Sequence, residues 1–299
     1  MKEKPFSKYQ ILANAVMIIW TLAIILPFIL LFMSSITDEN TLVANGYSFF
    51  PKKFSLASYS YIIKSGGQIL KAYGVSIGVT VVGTLLNVLL SALMAYPLSV
   101  KNLPGRNVMM FFVFFTMLFN GGIVPSYIMW TGTFHIKDTI FAQLLPNFLL
   151  SAWNVMMIRT YFTTSIPDGL YEAAEIDGAS QFTIFWKIVL PLGKPILVTM
   201  GLFSALGYWN DWTNGLYYLS GNEGQKLYSI QNLLNQMITD IQYLASGKVT
   251  GNIGAEVAKL PTTSIRMAIA FIAMLPLFII YPFLQKYFAE GITLGAVKG

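Results

Sequence analysis

A short stretch of the chain concentrates acids, alanines and a glycine between two apolar segments. Residues 165–195 read SIPDGLYEAAEIDGASQFTIFWKIVLPLGKP. Acids including Asp168 and Glu172 crowd the start of a predicted helix, where the helix dipole favours negative charge. The small side chains of Ala173 and Ala174 would let a second surface approach closely and pair with these acids. The pattern therefore indicates a docking site for a protein partner, with a merely solvated helix face as the competing interpretation.

The same stretch predicts two short helices that meet at a glycine. Ser165 followed by Asp168 resembles a capping box for the first helix. Gly178 interrupts the helical pattern, and a second helix is predicted over residues 180–190, where Pro191 ends it. Two helices joined in this way form a compact bend whose exposed side carries the acids and the alanines.

The residue inventory excludes several kinds of chemistry. The chain has 299 residues, no cysteine and one histidine, which removes disulfides, thiolate nucleophiles and most histidine-based zinc or acid–base sites. No G-x-x-x-x-G-K-[ST] sequence occurs, so the chain is not expected to bind and hydrolyse ATP by that route. We therefore expect a protein that is not an enzyme and that binds neither a metal ion nor nucleic acid.

The composition predicts a membrane protein. Hydrophobic residues make up 55% and charged residues 11% of the chain, whose mean hydropathy is +0.62. A soluble domain carries roughly 25% charged residues, so too few charges are present to solvate a globule of this size. Several uncharged stretches exceed the length of about 20 apolar residues that a helix needs to cross a hydrocarbon core. Because these stretches lack the alternation of a membrane barrel, the predicted fold class is an all-α polytopic membrane protein.

Six spans and three longer polar segments describe residues 1–299 as a single transmembrane domain. The spans are predicted at about residues 11–36, 72–98, 108–131, 139–161, 195–219 and 265–283. Basic residues precede the first span and also occupy the short connection between the second and third spans. The positive-inside rule therefore places both termini in the cytoplasm. Under that topology, residues 37–71 and 220–264 are extracytoplasmic loops. Residues 162–194, which we call the elbow, then face the cytoplasm.

Polar and aromatic residues within the spans are candidates to line a translocation path. A carboxylate in a span costs about 2.5 to 3.5 kcal/mol, which makes Asp211 a functional candidate by default. The neighbouring tryptophans suit sugar rings, although an aromatic belt at the membrane surface explains them equally well. The candidates are Asn120, Asn147, Asn154, Trp209, Asn210, Asp211 and Trp212.

Some of these amides have a second interpretation, as contacts between helices. Asn147 and Asn154 are seven residues apart and would share one face of the fourth span, while Asn87 lies within the second. Polar residues at such positions often hold membrane helices together instead of binding a substrate. Asn120, followed by two glycines and then by Pro125, predicts a break in the third helix, with irregular backbone lining a cavity.

The elbow resembles a known transporter family. The EAA signature of ABC importer permeases, EAA-x3-G-x9-I-x-LP, is reproduced by Glu172-Ala173-Ala174, Gly178, Ile188 and Leu190-Pro191. The surrounding IDGA and KIVLP sequences resemble the carbohydrate-uptake, maltose-type branch of that family. Within the branch, FNGGIVPSY at residues 119–127 and NDW at residues 210–212 are most similar to permeases for complex oligosaccharides. Chain length and the six predicted spans extend the resemblance over essentially the whole chain.

The resemblance implies the type I ABC importer permease fold and a set of partners. The elbow would be the coupling helix that docks on a cytosolic ATPase, which would bind ATP and Mg²⁺ while this chain binds no cofactor. The core of that docking site would be Glu172, Ala173, Ala174, Asp177 and Gly178. A second homologous permease, two ATPase copies and an extracytoplasmic solute-binding protein would complete an importer in the bacterial cell membrane. That importer would move a sugar or oligosaccharide by alternating access. Gly169 departs from the pattern, since many relatives carry an acid there.

Two other classes of protein are alternatives. An ion-coupled secondary transporter would work without ATP, but such folds show inverted repeats and coupling acids in the membrane, for which Asp211 is the single candidate. A membrane-embedded enzyme would have little chemistry to use. The charge of the sugar stays open: aromatic and amide residues suit neutral glycans, whereas Lys52 and Lys53 suit an acidic one.

Overall fold

The computed structural model describes residues 8–64, 66–245 and 262–296, and within them the chain forms helices and turns. Thr37 and Phe54 form an isolated antiparallel bridge. The first eight helices are α1 (Lys8–Ser35), α2 (Glu39–Asn45), α3 (Ala57–Lys64), α4 (Gly66–Ser99), α5 (Arg106–Leu118), α6 (Ile123–Ile128), α7 (Phe141–Leu144) and α8 (Ala152–Ser165). The others are α9 (Asp168–Ile176), α10 (Gln181–Ile184), α11 (Leu190–Leu192), α12 (Lys194–Asn210), α13 (Thr213–Tyr218), α14 (Gly221–Gln225), α15 (Ile230–Ala245) and α16 (Thr262–Ala296). Two π-helical turns, Met129–Thr133 and Phe185–Val189, follow α6 and α10 directly.

Two of the described helices, Lys8–Ser35 and residues 67–99 of α4, are long and apolar enough to cross a membrane. Two further spans result if each bent helix pair is counted as one. The first pair is Arg106–Leu118 with Ile123–Thr133, bent by 110°, and the second is Gln181–Leu192 with Lys194–Asn210, bent by 78°. The described residues thus hold two to four spans by length and composition. The all-α prediction is confirmed for this part of the chain, whereas the count of six spans stays a prediction.

Two predicted spans are interrupted by local backbone chemistry. The predicted break in the third is confirmed, because α5 ends at Leu118 and Gly122 has a φ of 83°. The fourth contains the short α7, a turn, and then α8. Pro146 has no N–H with which to continue α7, and Asn147 has a φ of 67°, which together end the first piece. Asn147 therefore lies outside any helix, and the prediction that Asn147 and Asn154 share a helix face is wrong.

Contacts divide the chain into two compact units, Met1–Ile69 with Leu234–Phe278 and Leu70–Leu233 with Ile279–Gly299. In the first unit, the carboxylate of Glu39 in α2 caps the start of α16. The backbone N–H groups of Thr263 and Ser264 each donate to a Glu39 oxygen at 2.8 Å, and so does the Ser264 hydroxyl. These N–H groups belong to the first helical turn, which has no partners inside its own helix.

We expect Glu39→Gln to weaken this contact by about 1 kcal/mol at neutral pH, because the amide cannot accept at both positions. Partial burial raises the pKa of the Glu39 carboxyl, but hydrogen bonds from Ser264 and Thr263 outweigh it and hold that pKa below its ordinary value of 4.5. A lowered pKa in the folded state means that the stabilisation is complete above pH 4.5 and is lost as the pH falls through the folded-state pKa. Thermal unfolding in detergent over a pH series should show the two proteins converging in acid. A constant difference would contradict this assignment.

In the second unit, a buried polar cluster joins three helices. Asn154 of α8 donates its amide N–H₂ to Asn87 Oδ1 of α4 at 2.7 Å and to Ser204 Oγ of α12 at 2.9 Å. Ser204 Oγ donates to Asn87 Oδ1 at 2.8 Å, and Asn87 Nδ2 donates to the Phe148 carbonyl oxygen at 2.5 Å. We call Asn87, Asn154 and Ser204 the amide cluster. Its bonds confirm the interpretation of Asn87 and Asn154 as contacts between helices.

The same three helices support the elbow through apolar packing. Buried side chains from α4, α8 and the elbow form one contiguous core. Among its most buried members are Leu98, Val155, Ile158, Phe162, Ile184 and Phe185. The elbow is therefore a packed part of the second unit and not a free loop.

Candidate functional site

The turn between the two elbow helices is a glycine-dependent helix end. The N–H of Gly178 donates to the Glu175 carbonyl oxygen at 3.0 Å, and the N–H of Ala179 donates to the Ala174 carbonyl oxygen at 2.9 Å. This pair of bonds is the Schellman arrangement, which needs a left-handed residue after the helix. Gly178 has a φ of 75°, a conformation that L residues with a side chain rarely adopt. The predicted role of Gly178 in the turn is confirmed.

The second elbow helix begins as predicted but ends later. Ser180 caps it, with its Oγ accepting from the Thr183 N–H at 3.3 Å. The chain then continues through α10, a π-helical turn and α11 to Leu192, so the prediction that Pro191 ends the helix is wrong. Pro191, which has no N–H to donate, lies within this run, and the helix ends one residue after it. The N–H of Gly193 donates to the Val189 carbonyl oxygen at 2.7 Å and closes this end.

The predicted capping box at the start of the first elbow helix is also wrong. Ser165 is still the last residue of α8, so Pro167 takes the extended position before α9 and no side chain caps it. Asp168 instead accepts from Lys101 Nζ at 2.5 Å, with both side chains more than half exposed. An exposed ion pair of this kind contributes about 0–1 kcal/mol. It connects the start of α9 to the turn after α4.

The two alanines of the signature differ in exposure. Glu172, Ala173, Asp177 and Gly178 are exposed. Ala174 is only 8% exposed and packs in the core with Ile184 and Phe185, so its predicted place on the exposed face is wrong. The core meets α9 on the side that carries Ala174, and Ala173, which is rotated from it by about 100°, lies outside that contact. We call the exposed set of Glu172, Ala173, Asp177 and Gly178 the elbow face.

The elbow is attached to the end of α4 by hydrogen bonds and stacked rings. Gln181 Nε2 donates to Glu175 Oε1 at 2.9 Å, and the Tyr96 hydroxyl donates to Gln181 Oε1 at 2.6 Å. The rings of Tyr96 and Tyr171 stack with centroids 6.4 Å apart, and Phe185 lies 5.5 Å from Tyr96. Burial raises the pKa of Tyr171 to about 12, so its hydroxyl stays protonated at neutral pH. Sequence reasoning misses Gln181 and Tyr96, because no local pattern pairs residues 85 positions apart.

The substrate-path candidates around Asp211 lie at a helix junction. α12 ends at Asn210, and Asp211 is extended. Its Oδ1 accepts from the Thr213 N–H at 3.1 Å, the Thr213 hydroxyl at 2.8 Å and the Asn214 N–H at 3.2 Å. Asp211 is therefore a buried cap of α13, and its predicted position inside the fifth helix is wrong. These bonds stabilise the start of α13 after the break, because they satisfy N–H groups that have no partner inside that helix.

The aromatic and amide candidates also separate into buried and exposed groups. Trp209 is 5% exposed and lies beside Tyr73, whereas Trp212 is 43% exposed and Asn210 is exposed. Asn120 accepts from the Gly122 N–H at 2.8 Å, within the break after α5.

The remaining amides bond inside the chain. Asn147 Nδ2 donates to Asn214 Oδ1 at 3.3 Å, which brings Asn147 close to the junction that Asp211 caps. Asn154 is part of the buried amide cluster. In this conformation Asn120, Asn147, Asn210 and Trp212 are thus the accessible candidates. Among the described residues, no group of three or more His, Cys, Asp or Glu side chains has the arrangement of a metal site.

Comparison with known proteins identifies the family. Residues 73–294 match the family model of the binding-protein-dependent transport system inner membrane component. Protein LplC of Bacillus subtilis (strain 168) is 38% identical over 275 residues, which cover 92% of this chain and 90% of LplC. The polygalacturonan/rhamnogalacturonan transport system permease protein YtcP of the same organism is 37% identical and covers 97% and 98% of the two chains.

A solved structure leads to the same family. The crystal structure of a bacterial ABC transporter involved in the import of the acidic polysaccharide alginate has a chain with 28% sequence identity and a TM-score of 0.79. The match covers 96% of this chain and 100% of that one. The chain therefore belongs to the family of binding-protein-dependent transport system inner membrane components, the permease subunits of ABC importers.

Proposed function

We propose that this permease forms half of the path for a sugar or oligosaccharide and that its elbow face docks on a cytosolic ATPase. The carbohydrate substrate is supported by the relatives, whose names include polygalacturonan/rhamnogalacturonan and, in AraQ of Bacillus subtilis (strain 168), arabinooligosaccharides. The docking role is supported by one observation: three residues of the EAA signature, Glu172, Ala173 and Gly178, are exposed on α9 and the turn that ends it, and α9 packs against the core of the unit.

The docking surface has a distinct role for each residue. Glu172 offers an exposed carboxylate for an ion pair or hydrogen bond, and Ala173 lets the partner's surface approach the helix closely. Asp177 extends the acidic edge, and Gly178 supplies the turn that presents it. Ala174 acts from the inside, because its small side chain lets α9 pack against the core.

The assembly follows the family pattern. A second, homologous permease completes the path, two ATPase copies bind ATP and Mg²⁺, and a solute-binding protein delivers the sugar. With six spans, both termini and the elbow lie in the cytoplasm. Residues 37–71 and 220–264 then lie outside the cell membrane. Residues 246–261 of the second outer loop lie outside the described part of the chain. Closure of the ATPases on ATP moves the two elbows and switches the permeases between inward-facing and outward-facing states.

The first test of docking uses two glycines of the elbow. Gly178→Ala and Gly169→Ala each add one methyl group at a position with open space around it, but only Gly178 has a positive φ. We expect Gly178→Ala to strain the turn by about 1 kcal/mol and to reduce recovery of the ATPase about fivefold in a detergent pull-down. Gly169→Ala should recover wild-type amounts. Glu172→Ala should also lose ATPase, while the second permease stays bound in every variant. Full ATPase recovery with both Gly178→Ala and Glu172→Ala would place the docking surface elsewhere.

The second test uses the absence of native cysteine. Ala173→Cys and Ala174→Cys place thiols on neighbouring residues that differ in exposure, since Ala173 is exposed and Ala174 is 8% exposed. Docking on the elbow face predicts that a bifunctional thiol–amine reagent links Ala173→Cys to the ATPase and leaves Ala174→Cys unlinked. Equal crosslinking at the two positions would show that the ATPase does not dock on the elbow face.

A further inference from the structure

The elbow is connected to the transmembrane helices by a continuous set of contacts. Glu175 lies one turn after Glu172 on α9, and its carboxylate accepts from Gln181 of α10 at 2.9 Å. Gln181 in turn accepts from the buried Tyr96 of α4 at 2.6 Å. One amide side chain therefore bonds to the first elbow helix and to α4 at the same time.

The connection continues along α4 to the amide cluster. Asn87 lies nine residues before Tyr96 on the same helix, about 14 Å along its axis. Asn87 bonds to Asn154 of α8 and to Ser204 of α12. A displacement of the elbow that moves the end of α4 must therefore also act on α8 and α12, since an α-helix and a packed core transmit strain without much compression.

We propose that Gln181 is a positioning residue that transmits the movement of the docked elbow to α4. This inference rests on the proposed docking function of the elbow and adds to it the route by which the movement reaches the spans. Gln181 suits the role because its amide is donor and acceptor at once, so it can bond to the Glu175 carboxylate and to the Tyr96 hydroxyl together. The stacking of Tyr171 on Tyr96 and the Asp168–Lys101 ion pair fix the elbow at two more points.

Exchanging the side chains at positions 175 and 181 tests whether movement passes from the elbow to α4 through Gln181. Gln181→Glu keeps the acceptor for Tyr96 but places two carboxylates against each other at the Glu175 contact. Glu175→Gln alone keeps an acceptor for Gln181 and should have little effect. The double variant Glu175→Gln/Gln181→Glu restores the contact with its direction reversed, because the amide at position 175 now donates to the carboxylate at position 181. Rescue in the double variant is an outcome that a loss of local packing would not give.

The readout must report movement and not assembly alone. Asn210 at the end of α12 is exposed, and α12 is bonded to α4 through Ser204. In the assembled importer with Asn210→Cys, the rate of labelling by a membrane-impermeant maleimide is measured with and without ATP, beside the ATPase rate and the amount of ATPase bound. Thr183→Val is the control, because the Thr183 hydroxyl bonds at 2.9 Å to Ser180 within the same turn and not to α4.

We expect Gln181→Glu and Tyr96→Phe to bind and hydrolyse ATP while the ATP-dependent change in labelling falls at least about fivefold, the lower range of typical coupling. The double variant and Thr183→Val should resemble the parent. An ATP-dependent change in labelling in Gln181→Glu as large as in the parent would overturn the role of Gln181 and leave docking intact. A double variant that is not rescued would do the same. Loss of bound ATPase in Tyr96→Phe would also overturn it, since the contacts would then shape the docking face. If the parent binds no ATPase or shows no response to ATP, the proposed function itself fails.

Discussion

Replacing Asn87 by leucine should destabilise the second unit by about 2 kcal/mol. The substitution removes the acceptor of Asn154 and Ser204 and the donor to the Phe148 carbonyl oxygen. Each interhelical hydrogen bond in a membrane contributes about 0.6 kcal/mol on average and 1.7 at most, and buried groups left unpaired add to the loss. The midpoint of thermal unfolding in detergent, followed by tryptophan fluorescence, measures the effect.

A control for this substitution lies one turn earlier on the same helix. Thr84 Oγ1 is buried and makes no hydrogen bond within the described structure, so Thr84→Val removes a hydroxyl that bonds nothing. We expect Thr84→Val to be neutral or slightly stabilising. Asn154→Leu should resemble Asn87→Leu, and the double variant should lose less than the sum, because the two residues share one bond. Additive losses would mean that the cluster does not act as a unit.

Two local features of the elbow, its glycine turn and the start of its second helix, could be predicted from the sequence because short-range backbone chemistry determines them. A glycine after a helix, as at Gly178, and a serine before one, as at Ser180, satisfy backbone groups within a few residues of themselves. The EAA signature is also local, so the family could be recognised without any knowledge of tertiary contacts.

The contacts that hold the site in place could not be predicted, because their partners are far apart in the chain. Tyr96 and Gln181 are separated by 85 positions and Glu39 and Ser264 by 225, and no sequence pattern pairs them. The burial of Ala174 depends on which side of α9 meets the core, which is a tertiary property.

Helix continuity does not follow from hydropathy. Hydropathy reports that a segment is apolar and does not report whether its backbone is one helix. Pro146 and the left-handed Asn147 interrupt the fourth predicted span, although the residues around them are apolar. Asp211 interrupts the fifth by capping a new helix.

Removing the cap formed by Asp211 should have the second large effect on stability. Asp211→Ala removes an acceptor of three hydrogen bonds, two of them from backbone N–H groups, and the N–H of the buried Asn214 is left unpaired. We expect a loss of about 2 kcal/mol in the free energy of unfolding, the upper range for loss of a helix cap. The midpoint of unfolding in detergent measures it, and Asp240→Ala, at an exposed acid, should change stability by less than about 0.5 kcal/mol.

Asp211→Asn separates capping from a role of the charge itself. Asparagine caps helices as well as aspartate does, and its amide oxygen can accept all three bonds. A cap therefore predicts wild-type stability for Asp211→Asn and a large loss only for Asp211→Ala. Equal stability of Asp211→Ala and wild type would contradict the capping role and favour the interpretation of Asp211 as a residue that lines the translocation path. If Asp211→Asn is as unstable as Asp211→Ala, the negative charge at the start of α13 matters more than the geometry of its hydrogen bonds.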